Sequence, residues 1–256
     1  MKLSKLFDQD FDLIFSLGEN CSVAHYLQRF KLRDMSSPFD WLCMATLQTR
    51  IDLLINGFSG FLEKENLNKI FVPSCGDHYN DSYCDEKLGF YFLHDFPKGQ
   101  SIDDSFGEVK EKYNRRIDRL LKRIPRSRKV LLVWAGFDGP IADEEFVGVL
   151  QKLKDAYPGV EFYLLVIEND LALRKVEERV CGLSPNIICF KGPFRPVPEL
   201  TWGDKSLWNL VVSRINRTFL PYYYCIKQFI YKRIKGQKRT THYLFCIPIV
   251  WHKRGR

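Results

Sequence analysis

The sequence predicts an α/β fold: three layers, with a mostly parallel sheet between helices on both faces, plus a basic aromatic C-terminal tail. Three observations carry this expectation. Near-continuous apolar runs of strand length alternate with segments whose apolar residues keep helical spacing, the pattern of a parallel sheet covered on both sides. The chain has 256 residues, 45% of them apolar, enough for one large core. Its formal charge of +8 is unevenly held. Residues 218–256 carry nine Lys or Arg and no Asp or Glu, so residues 1–217 are close to neutral. The expected organisation is an α/β domain over 1–217 and a tail over 218–256.

Residues 11–17 supply the first strand, and residues 20–30 the first helix, with Val23, Tyr26, Leu27 and Phe30 at helical spacing. Gly18 gives the tight turn between them, and Asn20 is a good N-cap. Leu47, Ile51, Leu54 and Phe58 predict a second helix, closed by Asn56 and Gly57. Residues 59–87 read as an irregular surface excursion. Phe90 to Leu93 form a strand that runs into His94 and Asp95. Ser105 and Glu108 make a capping box for a helix that ends at Pro125. Val130 to Trp134 is the next strand, ended by Gly136 to Pro140, and Phe146 to Tyr157 mark a helix. Phe162 to Ile167 is a further strand, followed by Glu168 to Asp170 and a helix through Val180. Ile187 to Phe190 is the fifth strand, and Asp204 opens a helix carrying Leu207, Val211, Ile215 and Phe219.

In parallel α/β sheets the chemistry gathers at the carboxyl ends of the strands. Here those ends carry Gly18 to Cys21, His94 and Asp95, Gly136 to Asp138, and Glu168 to Asp170. Cys21 falls in the first turn of a helix, where unpaired N–H groups and the helix dipole favour a thiolate. A strand, a glycine turn and a helix-starting cysteine can present a nucleophile. The alternative is a small buried hydrophobe. His94 is the favoured base for Cys21, with Asp95, Asp138 or Asp40 to orient it. Asp95 does so only where the strand has already ended, because consecutive strand residues face opposite ways. His25, four residues after Cys21, is a rival base.

Cys75, His78 and Cys84 have part of a metal-ligand spacing without a second tight pair, so no metal is expected. Walker-type and dinucleotide glycine patterns are missing, so no cofactor is expected. The eight cysteines follow no framework spacing, and the N-terminus has no apolar stretch of signal-peptide length. Reduced thiols and a cytoplasmic location are the expectation.

With these residues in view, the chain resembles a bacterial family described as papain-like cysteine peptidases. The resemblance lies in Ser16 to Ala24, in Leu32-Arg33, in Ser36 to Trp41 and in Phe92 to Phe96, and spans roughly residues 11–217. It implies a thiol nucleophile at Cys21 and a histidine base at His94. The repeated βα pattern differs from the helical lobe and antiparallel barrel of papain itself. The oxyanion glutamine of such enzymes is not placed either, since Gln28 follows Cys21. Backbone N–H groups around Cys21 and Ser22 are the substitute.

The leading expectation is thus a cysteine hydrolase or acyl-transfer enzyme acting on a peptide, amide or glycan-linked substrate. The alternative is a non-catalytic or glycan-processing accessory protein at the inner membrane face. The tail interleaves its basic residues with Tyr222 to Tyr224, Phe229, Tyr231, Tyr243, Phe245 and Trp251, which suits an anionic membrane surface. A solvated extension with a short strand at 243–250 is the competing reading. Nucleic acid ranks below both.

Overall fold

A computed structural model describes residues 10–72, 79–136, 141–194 and 205–215, and the backbone of 231–235, 240–244 and 247–250. The chain forms two compact units, residues 1–216 and 217–256. In the first, β1 (Leu13–Ser16) leads to α1 (Ser22–Arg29), β2 (Leu42–Met44), α2 (Leu47–Ile55), β3 (Leu67–Ile70), β4 (Asn80–Asp85) and β5 (Phe90–Pro97). There follow α3 (Ile102–Arg123), β6 (Lys129–Gly136), α4 (Asp143–Ala156), β7 (Glu161–Asn169), β8 (Glu177–Val180), β9 (Ile187–Gly192) and α5 (Lys205–Val212).

The α/β expectation holds. Five strands form a sheet in the order β1-β6-β7-β9-β8, and the first four run parallel. Strand alternation divides the core between its two faces. Leu131, Val133 and Ala135 of β6 pack with Val23, Tyr26 and Leu27 of α1 and with Trp208 and Val211 of α5. Val130, Leu132 and Trp134 pack with Leu47, Ile51 and Leu54 of α2, Val109 and Leu120 of α3, and Phe146 and Val149 of α4. Each parallel strand is therefore apolar at most positions, because both faces are covered.

Four differences from the sequence expectation matter. Phe90 to Leu93 belong to β5 of a second, antiparallel sheet of order β2-β5-β4-β3, not to the parallel one. Most of the excursion expected at 59–87 is ordered around it: Lys64–Asn66 make a 3₁₀ turn, and β3 and β4 pair beside β5. The β4–β5 connection is tight. Asp85 Oδ1 accepts from the Lys87 and Leu88 amides, and Gly89 adopts φ +74°. Third, α3 starts a turn earlier than expected: Ser101 is its N-cap and accepts from the Asp104 amide at 3.1 Å. Finally, the helix expected through Val180 does not form: residues 170–176 run as turns and bends, and β8 follows, antiparallel to β9. Its Glu177, Glu178 and Arg179 are exposed charges on a sheet edge, a common guard against edge pairing.

In the second unit, Tyr231–Lys235, Thr240–Leu244 and Ile247–Val250 (β10 to β12) form an antiparallel meander.

Candidate active site

The segment after β1 is held as an extension of the strand. Leu17 N–H donates to Val133 O at 2.8 Å and Glu19 N–H to Ala135 O at 2.9 Å. Gly18 is needed there: a Cβ on it would stand 2.5 Å from Val23 Cγ2, so any side chain would push α1 off the sheet. Asn20 Oδ1 accepts from the Ser22 amide at 2.9 Å, and Cys21 itself takes the N-cap position of α1. The half-buried Cys21 thus sits at the mouth of the helix as its cap, where the sequence reading put Asn20 at the cap and Cys21 in the first turn. The Ser22 N–H, proposed for an oxyanion site, is already engaged by Asn20.

Sequence reasoning missed a partner of Cys21. Met44 N–H donates to Glu19 O at 2.8 Å, which ties β2 to the turn before α1. This brings Cys43 to Cys21, and the two thiols are hydrogen-bonded. That bond and burial push the Cys43 thiol well above its ordinary range, while the charges of His94 and Arg50 pull it down.

Arg50 of α2 lies fully buried behind this pair. Its guanidinium rests over Phe39, Phe90 and Trp134 at 5.6, 4.9 and 6.0 Å, and donates to Met44 O at 2.5 Å. Burial lowers its pKa to about 10, which leaves it charged at neutral pH. The bond to Met44 O holds two successive left-handed residues, Met44 at φ 59° and Ala45 at φ 58°. Each such non-glycine residue costs about 1 kcal/mol, and strain of this kind clusters at functional sites.

His94 comes from β5, one strand over from Cys43. Between Tyr83 and Asp81 of β4, β5 advances from Phe92 to Phe96, so it bulges there and re-aims the residues between. His94 is exposed as a result, close enough for its charge to act on the Cys43 thiol. Its ring meets Trp41 edge-on, with centroids 6.1 Å apart. Trp41 is placed by a buried anchor: Asp40 pairs with Arg33 and accepts from the Ser37 amide at 2.9 Å. Desolvation raises the Asp40 pKa to about 6 even so.

The remaining predicted residues fall as follows. Asp95 lies in a strand that continues to Pro97, and its carboxylate takes Lys112 at 2.6 Å and the Tyr113 hydroxyl at 2.8 Å. Those are its bonds, and orienting His94 is not among them. Asp138, Cys75 and His78 lie outside the described residues. His25 is held below its ordinary pKa by burial and by the positive charges of Arg29 and Lys205. Cys84 is half-buried on β4. Among the described residues, no group of three or more His, Cys, Asp or Glu is arranged to hold a metal ion.

Fold and site together define an α/β protein with a helix-capping thiol, a second thiol in contact with it and a histidine alongside. The chain belongs to the family described as "putative papain-like cysteine peptidase", whose model matches residues 12–171. It is also similar to an uncharacterized protein of Acanthamoeba polyphaga mimivirus, 31% identical over 134 residues, 47% of this chain and 60% of the relative. The chain therefore spans less than two thirds of that relative's length. No solved structure matches it significantly.

Proposed function

We propose that the protein is a cysteine hydrolase or acyl-transfer enzyme in which Cys21 is the nucleophile and His94 the acid–base group. The observation that carries this reading is the meeting of the Cys21 thiol, at the cap of α1, with the Cys43 thiol of β2 and with a histidine, His94, close enough for its charge to act on that pair. Cys21 Sγ attacks a carbonyl carbon, and the collapsing intermediate expels the leaving group, which takes its proton from the His94 imidazolium. Neutral His94 then draws a proton from water, or from another acceptor, as that nucleophile attacks the thioester and frees Cys21. The buried Arg50 favours negative charge at the thiols throughout.

Residue-resolved alkylation by iodoacetamide, measured against pH by mass spectrometry, tests the assignment. Cys21 is expected to react faster than Cys43, Cys84, Cys181 and Cys189, and well below the free-thiol value of about 8.5. His94→Ala moves the profile toward that value, whereas His25→Ala leaves it in place. A Cys21 no faster than Cys84 would remove the nucleophile.

Residues 218–256 support a second role, attachment to anionic membrane surfaces. Their nine basic residues stand without a single carboxylate, and each is worth about 1 kcal/mol near such a surface. Among the described residues no helix is long and apolar enough to cross a membrane. Salt-sensitive co-sedimentation with phosphatidylserine vesicles, lost when the chain ends at Arg217, is the expected result. Equal binding by both chains would refute it.

A further inference from the structure

Acyl transfer gives Cys43 no step, although its thiol is in direct contact with the proposed nucleophile. The Met44 N–H bond to Glu19 O at 2.8 Å joins β2 to the turn before α1, and the Cys43 and Cys21 thiols are hydrogen-bonded. Both residues are half-buried, so a small solute can reach the pair. Two sulfurs in that contact need side-chain rotation, not movement of β2, to close to the ~2.05 Å of a disulfide.

The other described thiols are placed differently. Cys43 and Cys84 both register with Tyr91 of β5, from opposite sides. β5 therefore lies between them, and two strand spacings put their backbones roughly 10 Å apart, beyond the reach of a disulfide. Cys181, which follows β8, and Cys189 of β9 are buried. Cys43 is thus the thiol placed to react with Cys21.

We propose that Cys43 is a resolving thiol: when hydrogen peroxide oxidises Cys21, Cys43 captures the product as a Cys21–Cys43 disulfide, so that the reactive thiol is stored reversibly instead of being destroyed. In the first step Cys21 Sγ attacks a peroxide oxygen. An S–O bond forms, the O–O bond breaks, and the departing hydroxide takes up the proton that Cys21 had given to His94. Cys21 is then a sulfenic acid. Cys43 Sγ next attacks Cys21 Sγ: the S–S bond forms, the S–O bond breaks, and hydroxide leaves with the Cys43 proton as water. Two thiols have lost two electrons and one peroxide has become two waters. A dithiol reverses the change by thiol–disulfide exchange, closing to its own disulfide and returning both thiols. While the bridge stands, Cys21 cannot attack a carbonyl.

The surroundings suit this order of events. The Cys43 thiol is held up by its bond to Cys21, by burial and by the Cys21 charge. A neutral sulfenic acid no longer carries that charge, while Arg50 remains to favour a Cys43 thiolate when it must attack.

The test treats the reduced full chain with equimolar hydrogen peroxide and maps the products by non-reducing peptide mass spectrometry. A Cys21–Cys43 bridge is expected as the main product, and dithiothreitol should return Cys21 to its iodoacetamide-reactive form. Cys43→Ser keeps a hydroxyl beside Cys21 but has no sulfur to bridge. In that variant and in Cys43→Ala, the fraction of Cys21 lost to dithiothreitol-resistant sulfinic acid should rise roughly tenfold. Cys84→Ser should behave as the unsubstituted chain. The proposal is overturned if peroxide leaves Cys21 unoxidised, or turns it to sulfinic acid without a bridge in the unsubstituted chain. A bridge from Cys21 to another cysteine in place of Cys43, or full recovery of Cys21 in Cys43→Ser, overturns it equally. The inference rests on Cys21 being the reactive thiol of the proposed function, and not on the acyl chemistry. Slow alkylation of the reduced chain would refute that reading, whereas fast alkylation with no bridge refutes this one.

Discussion

In the parallel sheet, every residue from Val130 to Ala135 and from Phe162 to Ile167 is buried, and all are apolar or aromatic. In the antiparallel sheet and the helices against it, burial extends to Asp40, Arg50, Asp85 and Asp95, and several of their polar atoms lack partners. Apart from Ser16 and Glu168 near the ends of β1 and β7, the first sheet obtains its stability from covered hydrocarbon, and it fixes where Cys21 sits. The second accepts buried charge, strained backbone at Met44 and Ala45, and an irregular β5, and it contributes Cys43 and His94. Stability and chemistry are thus divided between two sheets that meet where the turn before α1 touches β2. Substitutions should respond accordingly: large stability losses with unchanged thiol chemistry in one sheet, small stability changes with altered chemistry in the other.

Leu165→Ala should show the largest effect. Leu165 is fully buried on the parallel sheet, so the loss is about 2–5 kcal/mol of transfer and cavity energy. Denaturant melts read the stability, and alkylation of the native fraction reads the site. The pH profile of Cys21 should be that of the wild type. A shifted profile would mean that the two sheets do not divide these roles.

Asp40→Asn tests the opposite sheet through pH. Asp40 titrates near pH 6 when folded, against 3.8 for the free group. The folded state holds the proton more tightly, so its stabilising contribution is full below about pH 4 and is lost as pH rises through about 6. At about 1.4 kcal/mol per unit, that window is worth about 3 kcal/mol. The stability of the wild type relative to Asp40→Asn should therefore fall by roughly this amount between pH 4 and 7. A flat difference would show that burial of this carboxyl costs nothing.

Arg50→Met should cost little stability and change the chemistry. Two of the Arg50 guanidinium nitrogens lack partners, so a well-packed apolar replacement is expected to fall within about 2 kcal/mol of the wild type or above it. The cation that favours charge at the thiols is lost, and alkylation of Cys21 at pH 7 should slow roughly three- to tenfold. Unchanged reactivity would make Arg50 merely structural.

The same division explains what the sequence made legible. Val130 to Trp134 and Phe162 to Ile167 announce a parallel sheet because both faces must be apolar, and the Gly18–Cys21 turn is readable because few residues besides glycine fit there. Asn80 to Asp85 does not read as a strand. It is polar, and only pairing with β5 and the tight turn at Gly89 make it one. Cys43 was missed because β2 is three residues long and ends in left-handed backbone, with no periodicity to betray it. Arg50 did leave a trace: it shares a helix face with Leu47 and Leu54, where a charge is out of place. Placing His94 at the carboxyl end of a strand of the parallel sheet was incorrect. Its proximity to the thiols comes instead from β2 pairing with both the Glu19 turn and β5.

The smallest and sharpest test is Cys43→Ala. If Cys43 donates its proton to Cys21, removing the donor takes away one hydrogen bond to the thiolate and leaves His94, Arg50 and the start of α1 in place. Hydrogen bonds to charged groups are worth about 1.5–3 kcal/mol, and a thiol is a weak donor, so a loss near the low end is expected. Cys21 alkylation at pH 7 should then slow about tenfold, with Cys43→Ser, which restores a donor, recovering most of the rate. Stability should change by about 1 kcal/mol or less, because one sulfur in a half-buried position is removed. Diamide gives an independent reading of the same contact: the Cys21–Cys43 disulfide should form before any bridge involving Cys84, Cys181 or Cys189. Cys43→Ala with wild-type alkylation, together with no preferred 21–43 bridge, would separate the thiols and leave the antiparallel sheet contributing only His94.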